Sequence, residues 1–347
     1  MLQLSSLAKL QDVARMGQDG WVNSPKVFTA LFAALAVAAL GSSVVHAYPA
    51  DAPKVPLWAY PQGVHDEPGP DDGKLYHLPG TTQAFTDTQI NRVNATIDWF
   101  PKSHPVPPSP VITGTEKYKA CGTCHLMNGA GKPETGDLQG LPVAYFLQQL
   151  DDMKNDRRKP AYVPSSLTGM ITIAKSLTPE EARQAAEYFH SVPAVTHVRV
   201  VESATAPVTH PGPHTIQLPD PSGARAPIGE RIVEVSENVD RTKLRDPSTG
   251  FVAYVPVGSI ARGEALVKSG GASKMACTMC HGADLKGMGD TFPSLAGHSP
   301  TATARQLFDF RSGTRDGKNA AAMKPVVAGL SDSDIVDVAA YLASLKP

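Results

Sequence analysis

The chain has 347 residues, enough for about two domains. It carries 31 prolines, 29 glycines and four cysteines, with 19% charged residues and a formal net charge of −1. That balance excludes a basic nucleic-acid-binding field and an acidic tail, the 41% apolar content excludes a wholly disordered chain, and four cysteines are too few for a disulfide scaffold of this size.

Residues 27–40, VFTALFAALAVAAL, form an uninterrupted run of apolar and small residues. Lys26 precedes the run and Val45-His46-Ala47 follows it. A basic flank, a short apolar stretch and a small-residue exit are the layout of a secretory signal peptide. A leader over 1–47 and a periplasmic mature chain starting near Tyr48 are therefore expected. The rival is an uncleaved anchor, with membrane association through residues 27–45, because those 19 residues carry no charge and approach the minimum crossing length.

Residues 48–110 read as a Pro-rich arm. Residues 48–82 lack an apolar period and suggest an extended segment or surface loop. A short helix is predicted within 86–99, and the five prolines of 101–110 favour polyproline-like backbone. A compact section spans 111–201. Residues 202–257 form a Pro-rich connector with two apolar alternations, at 231–235 and 251–255, that predict short strands. A second compact section spans 258–347.

The two compact sections repeat each other. Cys121 corresponds to Cys277, Gln149-Leu150 to Gln306-Leu307, Asp152 to Asp309, Met170 to Met323 and Tyr188 to Tyr341. Leu138-Gln139-Gly140 matches Leu295-Ala296-Gly297, and the segment 177–181 matches 330–334. Two copies at this spacing mean a duplicated domain rather than a solenoid. Each copy ends in a signalled helix: Thr178, Pro179 and Glu181 supply a cap, a first helical residue and a capping-box partner, and Ser331 with Asp334 does the same. Ile335, Val338, Ala339 and Leu342 then fall at helical spacing. Residues 259–268 predict a helix stopped by Gly270-Gly271, with no clear counterpart before Cys121.

All four cysteines lie in two pentapeptides, Cys121-Gly122-Thr123-Cys124-His125 and Cys277-Thr278-Met279-Cys280-His281. C-x-x-C-H is the attachment signature of c-type haem. The two thiols form thioethers, and the tight spacing brings the next histidine to one face of the iron as its proximal ligand. The alternatives are a redox dithiol or a shared zinc site. Against them stand the 156-residue separation, the histidine that follows each pair, the absence of a thioredoxin-like strand pattern, and export. Two covalently bound haem c groups are expected.

A second axial ligand comes from the opposite side, and methionine thioether suits electron transfer at raised potential. Met170 lies 45 residues beyond His125, and Met323 lies 42 beyond His281. Repeat equivalence selects this pair over core packing. Met153 corresponds to Phe310 and reads as packing. Met127, Met275, Met279 and Met288 lie too near the cysteines to reach across a haem and read as wall or surface. The site residues are therefore Cys121, Cys124, His125 and Met170 in the first section and Cys277, Cys280, His281 and Met323 in the second. The metal ligands among them are His125, Met170, His281 and Met323. His65, His77, His104, His210 and His214, in Pro-rich stretches, are expected to face solvent. His298 is placed to approach the second haem but is expected to have a surface or core role.

These features resemble the class I cytochromes c, and specifically the two-domain dihaem cytochromes c4. The resemblance rests on FPSLAG, RQLFDFRSGTR and AMKPVVAGLSDSDIVDVAAYLASL in the second half, and on LQGLPVAYFLQQL and residues 170–189 in the first. It implies a mainly α fold of two tandem cytochrome domains, His/Met ligation, and electron transfer without substrate chemistry. In the family, a proline before the LAG motif supplies the carbonyl that holds the proximal imidazole. Pro293 fits this role, but Gly136 stands at the other position and leaves His125 without that proline.

The function expected is an exported electron carrier between respiratory partners: a periplasmic dehydrogenase, a quinol-oxidising complex or a terminal oxidase. A dedicated cytochrome subunit of a dehydrogenase is a variant favoured by the arm and connector. A dihaem peroxidase would need an open iron site, which two matched methionines oppose. No nucleic-acid partner is expected.

Overall fold

The computed structural model describes residues 55–60, 70–92, 94–163, 166–212 and 215–347. The proposed leader and the 27–45 run lie outside these residues, as do His65 and His214. Among the described residues, no helix is long and apolar enough to cross a membrane.

Where it is described, the arm docks on the second repeat. A 3-10 turn at Leu57–Ala59 leads to Tyr60. Ala59 and Tyr60 are buried among Phe308, Ile335, Val336 and Ala339 of the second repeat. The Tyr60 hydroxyl donates to Asp309 Oδ1 at 2.8 Å. A periodicity search misses such docking because two residues carry it. Strands β1 (Leu75–His77) and β2 (Ala84–Thr86) pair antiparallel, and helix α1 (Asp87–Ile90) follows. Leu78, Ile90, Ile97 and Trp99 form a small core of their own.

The first repeat contains α2 (Ser109–Ile112), α3 (Cys121–His125), α4 (Val143–Lys154), α5 (Ser166–Ser176) and α6 (Pro179–Ser191). The predicted capping box of α6 is present: Thr178 accepts from the Glu181 N–H while Glu181 reaches back to Thr178 N. Helix α6 buries Ala185, Ala186, Tyr188 and Phe189 against Val111 and Phe146. The single turn α2 stands where the second repeat has a full helix.

The connector begins with β3 (Val198–Glu202), which falls inside the 111–201 section of sequence. Two small antiparallel pairs follow: β4 (Thr205–Pro207) with β7 (Arg225–Pro227), and β5 (Thr209–Pro211) with β6 (Gln217–Pro219). Strand β8 (Val233–Ser236), helix α7 (Val239–Lys243) and strand β9 (Phe251–Val255) complete it. Both predicted strands are present within about two residues. Strand β9 is central, parallel to β3 and antiparallel to β8. Phe251, Val252, Ala253 and Val255 are all buried, as expected of a strand covered on both faces.

The second repeat contains α8 (Ser259–Ser269), α9 (Thr278–His281), α10 (Pro300–Arg311), α11 (Ala320–Val327) and α12 (Asp332–Ser344). Helix α8 ends at Gly270 in the left-handed region, φ 77°, as predicted. Gly263 lets α8 cross α12 closely, because a Cβ there would stand 2.0 Å from the Asp337 carbonyl oxygen. Arg262 ties the crossing with a 2.7 Å ion pair to Asp337.

The repeats meet through reciprocal contacts. Asp152 accepts from Lys318 N at 3.2 Å, and Asp309 accepts from Ala161 N at 2.8 Å. Lys159 N donates to Thr314 O at 2.9 Å, and Asp316 N donates to Arg157 O at 2.7 Å. Each pair maps onto the other by the repeat offset, the signature of an isologous, two-fold-like interface within one chain.

Helix α12 has the second capping box, Ser331 with Asp334. Ser331→Ala should cost about 1 kcal/mol of stability, by loss of the cap. A lower denaturant midpoint with an unchanged m-value checks this.

Candidate functional site

All eight residues singled out by sequence line one connected cavity of about 1110 Å³. It exceeds the roughly 300–1,000 Å³ usual for small-molecule sites. The cysteines and histidines come from α3 and α9 or their first flanking residue. Met170 lies on α5 and Met323 on α11, so matched elements supply each matched methionine.

The histidines are held alike. His125 Nδ1 lies 3.0 Å from the Gly136 carbonyl, and His281 Nδ1 lies 2.9 Å from the Pro293 carbonyl. A carbonyl only accepts, so Nδ1 carries the proton and Nε2 keeps its lone pair. The Gly136 departure thus removes nothing, since the bond needs a backbone oxygen and any residue supplies one. Gly131 makes the loop tight enough: its φ is +69°, and a Cβ would stand 2.1 Å from the Gly136 oxygen. Gly287, φ +93°, plays that part in the second loop.

Burial keeps the imidazoles neutral. It pulls His125 down to about 4, with the Gly136 bond opposing, and it also lowers His281. Neutral imidazole is the form that binds metal. Burial pushes the Cys121 thiol up to about 12, with the Cys124 charge adding to it, and it raises Cys277 as well. Such thiols are poor thiolates, which disfavours a reactive dithiol.

Other candidates fall into place around the cavity. Met127 and Met153 are buried, whereas Met279 and Met288 are exposed. His104 corrects an expectation. Its side chain is 3% exposed, lies 3.2 Å from Asp98 Oδ1, and meets the Tyr188 hydroxyl at 3.1 Å. Folding of the proline segment onto α6 encloses it. His77 and His210 are exposed, as expected. His298 lines the cavity, and its Nδ1 lies 2.8 Å from Asp137 Oδ2 of the first repeat.

Sequence reading missed a buried polar bridge on the cavity wall. Arg315 donates to Tyr145 Oη and Gln149 Oε1, each at 2.9 Å, and to Gln306 Oε1 at 3.0 Å. Arg158 donates to the same two glutamines at 2.9 Å. Burial and the Arg315 charge bring Arg158 down to about 9. Two guanidiniums with neutral acceptors, facing a cavity, suit an anionic group placed in it. Their 157-residue spacing, the same as that of the glutamines, was the available signal.

The sheet reaches this region through Glu234. Its Oε2 accepts from Ser299 Oγ at 2.8 Å and Thr301 N at 3.2 Å. Burial pushes it up to about 7.

The doubled C-x-x-C-H turns, carbonyl-held neutral imidazoles and matched methionines around one large cavity define a dihaem c-type cytochrome. The cytochrome c family model matches residues 260–346. Cytochrome c4 of Stutzerimonas stutzeri is 33% identical over 244 residues, which cover 67% of this chain and 87% of that protein. The thiosulfate dehydrogenase electron acceptor of Thiomonas intermedia is 27% identical over 228 residues, covering 65% and 78%. The crystal structure of reduced recombinant cytochrome c4 from Pseudomonas stutzeri aligns at 25% identity with a TM-score of 0.41, covering 65% of this chain and 93% of that one. The chain belongs to the cytochrome c4 family. It is a c-type cytochrome, an electron carrier with two covalently bound haem c groups.

Glu234 gives a pH test. Its folded pKa, about 7, lies above the ordinary 4.5. Stability from its protonated form is whole below pH 4.5 and lost as pH rises through about 7. Glu234→Gln should therefore flatten the fall in stability between pH 4.5 and 8, read from denaturant midpoints.

Proposed function

We propose that this chain is an exported, periplasmic carrier of single electrons that accepts from a dehydrogenase through two His/Met-ligated haems. The observation that carries the reading is the matched placement of all eight site residues around one cavity. In this reading Cys121 and Cys124 would attach the first haem, and His125 and Met170 would hold its iron. Cys277 and Cys280 would attach the second, with His281 and Met323 holding its iron. The cytochrome domains are residues 111–201 and 258–347, joined by the connector at 202–257. The leader at 1–47 and the arm at 48–110 complete the chain.

Bound haem supplies the one-electron couple. Nδ1–H donation to Gly136 and Pro293 orients each imidazole and raises its basicity toward iron. Burial of each histidine keeps it unprotonated, so no proton competes for Nε2. The thioethers of Met170 and Met323 favour the reduced state. Arg158 and Arg315 would hold carboxylates of the haem periphery at the boundary between the repeats.

The partner reading draws on the relative named as a thiosulfate dehydrogenase electron acceptor and on the arm and connector added to the duplicated domains. It favours a carrier matched to one dehydrogenase. Co-purification with such an enzyme, and its direct reduction of this chain, would support that pairing. Failure of reduction by the dehydrogenase, with ready reduction by a quinol-oxidising complex, would reassign the donor.

The ligand set has a spectroscopic test. Met323→Ala should retain two covalent haems per chain, remove about half of the methionine–iron charge-transfer absorbance, and lower one of two reduction potentials. Met170→Ala should do the same to the other. Potentials that do not move would remove the methionines from the ligand set.

A further inference from the structure

The two C-x-x-C-H loops are matched in sequence position but not in surroundings. Thr123 is 7% exposed, whereas its equivalent, Met279, is 67% exposed. Almost every residue from 122 to 134 is buried, whereas most of those from 278 to 290 are exposed. Part of the cover on the first loop comes from the connector, which the resemblance to the cytochromes c does not include. Asn128 Nδ2 donates to the Pro247 carbonyl at 2.8 Å. A narrow crevice beside it is lined by Thr123, Leu126 and Lys132 on one side and by Ile216, Arg245 and Thr249 on the other.

Arg245 is the reaching residue of this cover. Helix α7 is capped by Asn238 and ends at Leu244. The Leu244 carbonyl accepts from Trp99 Nε1 at 2.7 Å, so the arm pins the end of α7. Arg245 then turns into the left-handed region, φ 57°, which a non-glycine residue seldom adopts. The turn sends its guanidinium to the Thr123 carbonyl, inside the Cys121–Cys124 turn. Arg245 also lines the large cavity. Its Nε is buried with no hydrogen-bond partner. The adjacent carboxylate is already engaged: Asp246 pairs with Arg241 at 2.5 Å and accepts from Ser248. Among the described residues, no carboxylate forms an ion pair with Arg245. Lys132 adds a second buried cation with Glu134 near it, whereas the position matched to Lys132 is the exposed Met288.

We propose that Arg245 makes the connector an electrostatic part of the first haem site, holding an uncompensated positive charge at its thioether edge that raises the first reduction potential. The proposal rests on the reading that Cys121, Cys124 and His125 carry the first haem. A desolvated cation disfavours the extra positive charge of oxidised iron far more than a solvated one would. Among the described residues, the connector makes no hydrogen bond to the second loop, so the effect falls on one haem alone. This gives two similar ligand sets different potentials.

The test is a spectroelectrochemical titration of the full holoprotein and its Arg245→Gln and Arg245→Lys variants, with covalent haem counted for each. The first-site wave is identified as the one moved by Met170→Ala. In Arg245→Gln that wave should fall by about tenfold in its redox equilibrium, roughly 59 mV for one electron. The wave moved by Met323→Ala should stay, and Arg245→Lys should retain most of the wild-type value. Should Arg245→Gln lose haem, Arg245→Met preserves the aliphatic stem and takes its place. The proposal is overturned if neither wave moves, if both move together, if only the second moves, or if lysine behaves like glutamine. A wild-type chain with fewer than two covalent haems would instead overturn the underlying site reading.

Discussion

Two carboxylates, one in each repeat, leave their own domain to bond a backbone N–H of the other. Asp152 and Asp309 are 2% and 0% exposed, so neither can be left without partners at this depth. Each carries one bond across the boundary, to Lys318 N and Ala161 N, and Asp152 also accepts from Gln148 and Arg157 of its own repeat. The reciprocal strand-like contacts at 157–159 and 314–316 follow from this register. So does the convergence of Arg158, Arg315, Gln149 and Gln306 on the cavity wall. The arm uses the same group: Tyr60 donates to Asp309, so the docking of an apparently irregular segment depends on the same buried oxygen.

What was legible in the sequence was whatever acts over short chain distances or is stated twice. A C-x-x-C-H pentapeptide states its chemistry within five residues. The capping boxes at Thr178 and Ser331 act over four. Met170 and Met323 were selected by repetition, because each alone is an ordinary core residue. The less legible features depend on backbone atoms or on distant partners. Gly136 does for His125 what Pro293 does for His281, yet no side-chain pattern identifies a carbonyl. His104 sits in a proline-rich stretch that looks solvent-exposed, yet it is buried against Asp98 and against Tyr188, far along the chain. The parallel pairing of β3 with β9 needs a crossover of about 50 residues. No local alternation specifies such a pairing.

Buried charge is distributed unevenly over the two halves, and this bears on how the proposed ligand set would serve two haems. In the proposed ligation, with matched histidines, matched backbone acceptors and matched methionines, the ligands themselves offer little to separate the potentials. Difference must come from burial and from charge farther out. The first loop is enclosed by arm and connector and has Lys132 and Arg245 near it. The second loop presents Met279, Cys280 and Met288 to the outside. The elements that distinguish this chain from a bare pair of cytochrome domains are therefore the ones that break its two-fold equivalence.

That asymmetry also separates two demands on a carrier. An exposed edge is needed for a partner to approach, because transfer requires close contact. An enclosed site, in contrast, holds its charge environment constant whatever docks nearby, since fewer solvent dipoles and salt ions reach it. A duplicated domain can meet both demands only if its copies diverge in their cover while keeping their ligands. Here the divergence lies outside the repeats, in segments rich in proline. Fixed φ angles let such segments lie across a protein surface with less entropy to lose on ordering. The proline excess that marks the composition is thus concentrated in the material that encloses one site and leaves the other open.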